Sequence, residues 1–281
     1  MKVAEALQQA TKTLAAEPAV AEQAARDAEL LLLHVLDAGR AEIFSHPERE
    51  LSAEQELKYA AMIRERVAAK PIQYIVGEQE FYALPMRVTR DVLIPRPETE
   101  HLVESALQRL PHDYSVSVAD VGTGSGAIAV ALAHTLPMAH VVALDLSAAA
   151  LEVAKHNAER HGVAARVELV ESDLLSAVRG RCFDAIVSNP PYIALGEREQ
   201  LHPQVREFEP GLALFAGESG LEIYERLIPQ AWDALKSGGW LMMEIGAGQK
   251  EAIAVLLQGW REVDFIPDLQ GIARVAVARR S

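Results

Sequence analysis

The chain has 281 residues, enough for one large domain or a small domain joined to a medium one. Half of it is hydrophobic and 24% charged, ordinary for a folded soluble protein, and no run of about 18 apolar residues exists, which excludes a transmembrane helix. The 40 acids exceed the 27 bases, and a net charge of −13 repels a phosphate backbone, so no direct nucleic-acid partner is expected. The amphipathic, early-acid N-terminus lacks the apolar stretch of a signal peptide, and the single cysteine cannot close an internal disulfide. A cytoplasmic location is therefore expected. Cys182 opens an apolar run and is expected to be buried. The nine histidines lack paired ligand spacing, so no metal is expected.

Residues 1–70 read as a small all-α domain. Val3 to Leu14, Ala19 to Leu36 and Leu57 to Val67 place apolar residues at helical spacing, and Ser52 with Gln55 makes a capping box. His34, inside a leucine-rich run, is read as a helix-packing residue. Residues 71–97 form a linker. There, Gln79 to Tyr82 and Met86 to Thr89 are expected as a hairpin turning at Ala83-Leu84-Pro85. Pro97 and Glu98 suit the first turn of a helix that runs to about Leu110.

Residues 98–281 form the third region, in which strands and helices alternate from Val116 onward. Strands are expected at Val116–Val121, Val141–Asp145, Val167–Val170, Phe183–Ser188, Trp240–Ile245, Val263–Ile266 and Ala273–Ala278. Helices are expected at Ala127–Leu136, Ala148–His161, Leu221–Leu235 and Gln249–Leu257. This is the pattern of an α/β, mostly parallel, doubly wound sheet, with the last two strands antiparallel neighbours.

Gly122-Thr123-Gly124-Ser125-Gly126 ends the first of these strands and opens a helix, a turn in which the backbone can approach a ligand closely. Asp145, ending the next strand, can accept the hydroxyl hydrogens of a ribose. Asp120, just before the glycines, either lies near the ammonium of a methionine moiety or bonds to loop amides. Asp173 and Leu174 follow the third strand and fit an adenine edge. The layout serves both nicotinamide dinucleotides and S-adenosylmethionine, and the preceding acid favours the latter.

Asn189-Pro190-Pro191-Tyr192 sits at the carboxyl end of the fourth strand, where open α/β sheets hold their ligands. An amide nitrogen is a weak nucleophile, because its lone pair is delocalised. The side-chain oxygen of Asn189 and the carbonyl of Pro190 can each accept one hydrogen of its NH₂ group and so orient it. The two prolines stiffen the turn, and Tyr192 can stack on a planar group. These residues point to methyl transfer onto a planar nitrogen, with Asn189, Pro190 and Tyr192 as the catalytic candidates.

At these residues the sequence resembles the bacterial release-factor glutamine methyltransferases, the HemK/PrmC family. The likeness covers almost the whole chain, including Leu93 to Glu100, Gly122 to Gly126, Asn189 to Tyr192 and Glu244-Ile245-Gly246. It implies a Rossmann-like class I methyltransferase sheet with an antiparallel last strand. It also implies a helical release-factor recognition module at 1–70 and the glutamine of a Gly-Gly-Gln loop as acceptor. S-adenosylmethionine contacts are implied at Gly122 to Gly126, Asp145, Leu174 and Asn189, and substrate contacts at Asn189 to Tyr192. Arg96, Glu98 and Glu100 are expected at the border of the site. An N6-adenine methyltransferase and a ribosomal-protein glutamine methyltransferase share the chemistry. A nicotinamide oxidoreductase would leave Asn189 to Tyr192 unexplained.

Overall fold

The computed structural model describes residues 1–281 and divides them into two compact units. The first comprises Met1–Glu78 together with Gln200–Phe208. Its helices are α1 (Val3–Ala15), α2 (Ala24–Leu36), α3 (Arg40–Ser45), α4 (Ala53–Val67) and α5 (Ile72–Val76). They bury Val3, Ala10, Leu14, Leu31, Leu32, Tyr59 and Ile63 in one apolar core. Ser52 and Gln55 form the expected capping box of α4. Asp27 and Arg66, both buried, pair at 2.6 Å across α2 and α4, and Arg66 also donates to the Lys70 carbonyl at 2.9 Å. His34 does not pack as expected. It lies on the exposed side of α2, between the buried residues Leu32 and Val35.

The second unit holds Gln79–Glu199 and Glu209–Ser281. A hairpin of β1 (Glu78–Phe81) and β2 (Leu84–Arg87) comes first in the sequence. Its turn is Tyr82-Ala83, both at positive φ, rather than 83–85, so Leu84 and Pro85 belong to the strand. Glu100 holds this strained turn by accepting from the Tyr82 N–H at 2.8 Å. A 3-10 turn at Pro97–Thr99 leads into α6 (Glu100–Arg109).

The alternating elements are β3 (Val116–Val121), α7 (Ala127–Thr135), β4 (Ala139–Asp145), α8 (Ala148–Arg160), β5 (Val167–Glu171) and β6 (Phe183–Ser188). After the short helix α9 (Pro203–Phe208), which belongs to the first unit, come α10 (Glu222–Ala234), β7 (Leu235–Glu244), α11 (Lys250–Leu256), β8 (Arg261–Pro267) and β9 (Ala273–Arg279). The seven-stranded sheet runs β5-β4-β3-β6-β7-β9-β8, and β9 pairs antiparallel with both β7 and β8. The fold is therefore the expected mostly parallel α/β sheet with an antiparallel last strand.

Alternation along each strand separates two cores. Val118, Val141, Ala185 and Val277 face α6 and α7, whereas Ala119, Leu144, Ile186 and Ala276 face α10 and α11. Every residue from Ala127 to Ala133 of α7 is buried. The strand β7 begins at Leu235, five residues before the expected Trp240, because its register against β6 shifts at Gly238-Gly239. Cys182 is exposed, contrary to expectation, because burial in β6 begins one residue later, at Phe183. Strand order reverses at β3, and the chain therefore opens a crevice at the carboxyl ends of β3, β4 and β6.

Candidate active site

The crevice holds a cavity of about 360 Å³. Its floor is the turn after β3. The amides of Gly122 and Thr123 donate to the Leu144 carbonyl at 2.8 and 2.9 Å, and Gly122 and Gly124 adopt φ of 73° and 54°. A Cβ added to either glycine would meet nothing within 4 Å, so the open space over this backbone is room for a ligand. Gly126 does a different job. A Cβ there would come within 3.0 Å of Ala154 on α8, so this glycine permits close packing and does not line the cavity.

Asp145 fastens the turn from the neighbouring strand. Its Oδ2 accepts from the Gly124 N–H at 2.8 Å and its Oδ1 from the Ser147 N–H at 2.9 Å. Burial raises its carboxyl above the ordinary range, while the bonds from Ser147 and Gly124 oppose that. Each oxygen keeps a lone pair, and the residue lines the cavity. Asp120 does not line the cavity and bonds to neither a ligand site nor the loop amides, but to a turn side chain and the helix beyond it. Fully buried, it accepts from the Thr123 hydroxyl at 2.6 Å and the Ala129 N–H at 3.1 Å, while its Oδ1 has no partner. Burial pushes this carboxyl up to about 7.

Asn157, fully buried on α8, was not singled out by its sequence context. Its Oδ1 accepts from the Arg87 N–H at 2.8 Å, and its Nδ2 donates to the carbonyls of Arg87 at 3.0 Å and Ser125 at 2.8 Å. One side chain thus ties β2 to the glycine turn.

Asp173 and Leu174 both line the cavity. Asp173 pairs with Arg226 of α10 at 2.5 Å, so its carboxylate is already partnered. Leu174 has φ of 51°, and Ser172 holds it there by donating its hydroxyl to the Leu174 carbonyl at 2.8 Å.

The wall opposite is built by Asn189, Pro190 and Pro191, following Ser188, whose hydroxyl donates to the Val121 carbonyl at 2.7 Å. Asn189 donates from Nδ2 to the Thr99 hydroxyl at 3.0 Å. Thr99 in turn donates to Glu244 Oε2 at 2.6 Å. Glu244 is buried at the end of β7, which pushes its carboxyl up to about 7. Tyr192 turns the other way and does not line the cavity. Its ring packs on the apolar core of α10 and α11, and burial pushes its hydroxyl up to about 12. Gln249 clamps its backbone, donating to the Tyr192 carbonyl at 3.0 Å while accepting from the Gly246 N–H at 2.9 Å.

Among the residues expected at the border, Arg96 lines the cavity and Glu98 and Glu100 do not. Arg96 pairs with the buried Glu209, which also accepts from the Ile94 N–H at 3.2 Å. Thr99, Glu209, Arg226 and Gln249 were not anticipated as site residues. Glu244 offered the one sequence signal, a carboxylate closing the apolar run Trp240 to Met243.

The family described as PrmC N-terminal domain matches residues 5–77, and the methyltransferase small domain matches residues 101–204. The chain is 48% identical over 254 residues to a release factor glutamine methyltransferase of Koribacter versatilis, covering 90% of both chains. It is 42% identical over 277 residues to the one of Coxiella burnetii, covering 98% of this chain and 99% of that one. The protein of that name from Cereibacter sphaeroides is 45% identical over 281 residues, with 99% of each covered. Among solved structures, the hMettl16 catalytic domain in complex with MAT2A 3'UTR hairpin 6 matches with a TM-score of 0.57 at 17% identity, covering 81% of this chain and 82% of that one. A methyltransferase from Pyrococcus furiosus matches with a TM-score of 0.52 at 16% identity, covering 82% and 100%. At those identities the structural likeness speaks for the fold.

Proposed function

We propose that this chain, which belongs to the release factor glutamine methyltransferase family, methylates the side-chain amide of the glutamine in the Gly-Gly-Gln loop of peptide-chain release factors. The observation that carries the site assignment is the orientation of Asn189. Its NH₂ group faces Thr99 and gives one hydrogen to it, which leaves its oxygen for the hydrogens of an incoming amide.

The residues present fit S-adenosylmethionine. The space over Gly122 and Gly124 accommodates a ligand against bare backbone, Asp145 offers acceptors for ribose hydroxyls, and Leu174 offers an apolar surface for an adenine. Gly122 to Ser125, Asp145, Asp173, Leu174 and Asn189 would hold it, with Gly126 shaping the turn from behind. When bound, the cofactor supplies an electrophilic methyl group on a sulfonium.

Asn189 Oδ1 and the Pro190 carbonyl accept the two amide hydrogens and so fix the NH₂ plane. Both dipoles favour the positive charge that grows on nitrogen in the transition state. No base is required beforehand, because the nitrogen becomes acidic as it gains the methyl. Pro191 keeps the turn rigid, and Tyr192 acts from the side of the core, anchoring the turn through Gln249.

We read the helical unit as the module that recognises the release factor, supported by the match of residues 5–77 to the PrmC N-terminal domain. No helix is long and apolar enough to cross a membrane. The test is to incubate the protein with S-adenosylmethionine and a purified release factor and to map the product by mass spectrometry. One added methyl on the loop glutamine is expected; a methyl on any other residue contradicts the assignment.

A further inference from the structure

The oxygen and NH₂ ends of an asparagine side chain are nearly the same shape, so packing alone does not decide which end faces a ligand. In Asn189 the choice matters, because an amide acceptor presents hydrogens and requires the oxygen. The deciding contact comes from a segment 90 residues away. Thr99 is buried and its hydroxyl has a single proton, which is donated to Glu244 at 2.6 Å. Only lone pairs remain on the Thr99 oxygen, so Asn189 must turn its NH₂ toward Thr99.

We propose that Thr99 and Glu244 are positioning residues that set the polarity of the Asn189 amide, holding its oxygen toward the acceptor. This rests on the methyl-transfer reading given above. Thr99 acts through Asn189, and Glu244 acts through Thr99.

The relay works in one direction only while Glu244 is ionised. Once Glu244 is protonated, its O–H donates to Thr99, the Thr99 proton is free to donate to Asn189 Oδ1, and the amide reverses. Asn189 then meets the acceptor NH₂ with its own NH₂, donor against donor. Burial is the chief cause that lifts this carboxyl to about 7, and the charge of Glu98 adds to it. The Thr99 hydroxyl, Arg274 and Arg96 oppose the rise. The Tyr192 phenol faces the same carboxylate, and the Tyr224 hydroxyl of α10 bonds the Glu244 carbonyl at 2.8 Å. Both phenols are themselves pushed up by burial and stay neutral over the relevant range.

The experiment uses the full chain, S-adenosylmethionine and a purified release factor, with kcat and KM measured from about pH 5.5 to 8.5. Thr99→Val keeps the shape and removes the hydroxyl. Its kcat falls on the order of 10²-fold, with KM for S-adenosylmethionine changed less than about threefold, and Thr99→Ser recovers most of the loss. The kcat of the wild type drops about tenfold per pH unit on the acid side of a limb near neutrality. Glu244→Gln carries no ionisable group and can bond Thr99 in either sense, so its kcat is lower and flat across that limb. Wild-type kcat in Thr99→Val, or a loss in Thr99→Ser as deep as in Thr99→Val, overturns the proposal. An acid limb that persists in Glu244→Gln does the same, and it decides the matter alone if Thr99→Val fails to fold. Absence of transfer by the wild type would instead remove the reading on which the proposal rests.

Discussion

The two walls of the cavity are held in different ways. The glycine wall is made of backbone, and most of its fastenings are local: Thr123 bonds Asp120 three residues away, and Asp145 reaches Gly124 from the adjacent strand. The asparagine wall is made of side chains fixed from afar, through Thr99, Glu244 and Gln249. A ligand that is the same in every turnover suits a preformed backbone mould. An acceptor that must be aligned within a narrow cone needs hydrogen-bond polarity, and only side chains bonded to other side chains supply that.

The sharpest way to break this division is Asn189→Ala. It should lower kcat on the order of 10²- to 10³-fold while leaving S-adenosylmethionine affinity within a few-fold, read by steady-state kinetics beside titration calorimetry. Comparable losses in both quantities would mean that the walls are not separable. Asn157→Ala probes the glycine wall through its anchor. It leaves three backbone groups of Arg87 and Ser125 unpaired in a buried site and should cost about 3 kcal/mol of stability in urea unfolding. A change under about 0.5 kcal/mol would show that water replaces the side chain.

Asp145→Ala should weaken S-adenosylmethionine binding by about 10- to 30-fold, with kcat at saturation little changed. Unaltered affinity would place the ribose elsewhere. The smallest effect concerns Asp120. Its folded carboxyl titrates near 7, above its ordinary 3.8, so the folded form keeps a proton that the unfolded chain has shed. The associated stability is complete below about 4 and is lost as pH rises through 7. Glu244 contributes in the same sense. Asp120→Asn should therefore show a shallower fall in stability between about pH 4 and 7 than the wild type, measured by chemical unfolding at each pH.

The same division explains what the sequence revealed. The strands β3 and β6 were legible to the residue because burial on both faces makes an unbroken apolar run that ends at a turn. The glycine turn and Asp145 were legible because their partners lie in consecutive strands. The pairing of Thr99 with Glu244, 145 residues apart, leaves no periodic trace. Nor does Asn157, whose place on α8 reads as an ordinary polar helix position until β2 is found beside it. Tyr192 was expected to stack on the acceptor, yet its ring lies against Gly246 on the core side instead, where a Cβ on Gly246 would come within 3.0 Å of it. The short helix α9 carries no sequence signal, because six residues, none of them fully buried, are too few for an amphipathic repeat. The start of β7 at Leu235 leaves no period-2 trace, because the register against β6 shifts between Leu235 and Trp240.

The central claim is that the Asn189 wall presents acceptors to a glutamine amide. Its most direct test is transfer of labelled methyl from S-adenosylmethionine to a release factor, to the same factor with Gln→Asn in its Gly-Gly-Gln loop, and to duplex DNA. The account predicts label in the unaltered factor alone. Equal label in the Gln→Asn factor, or label in DNA, would contradict it.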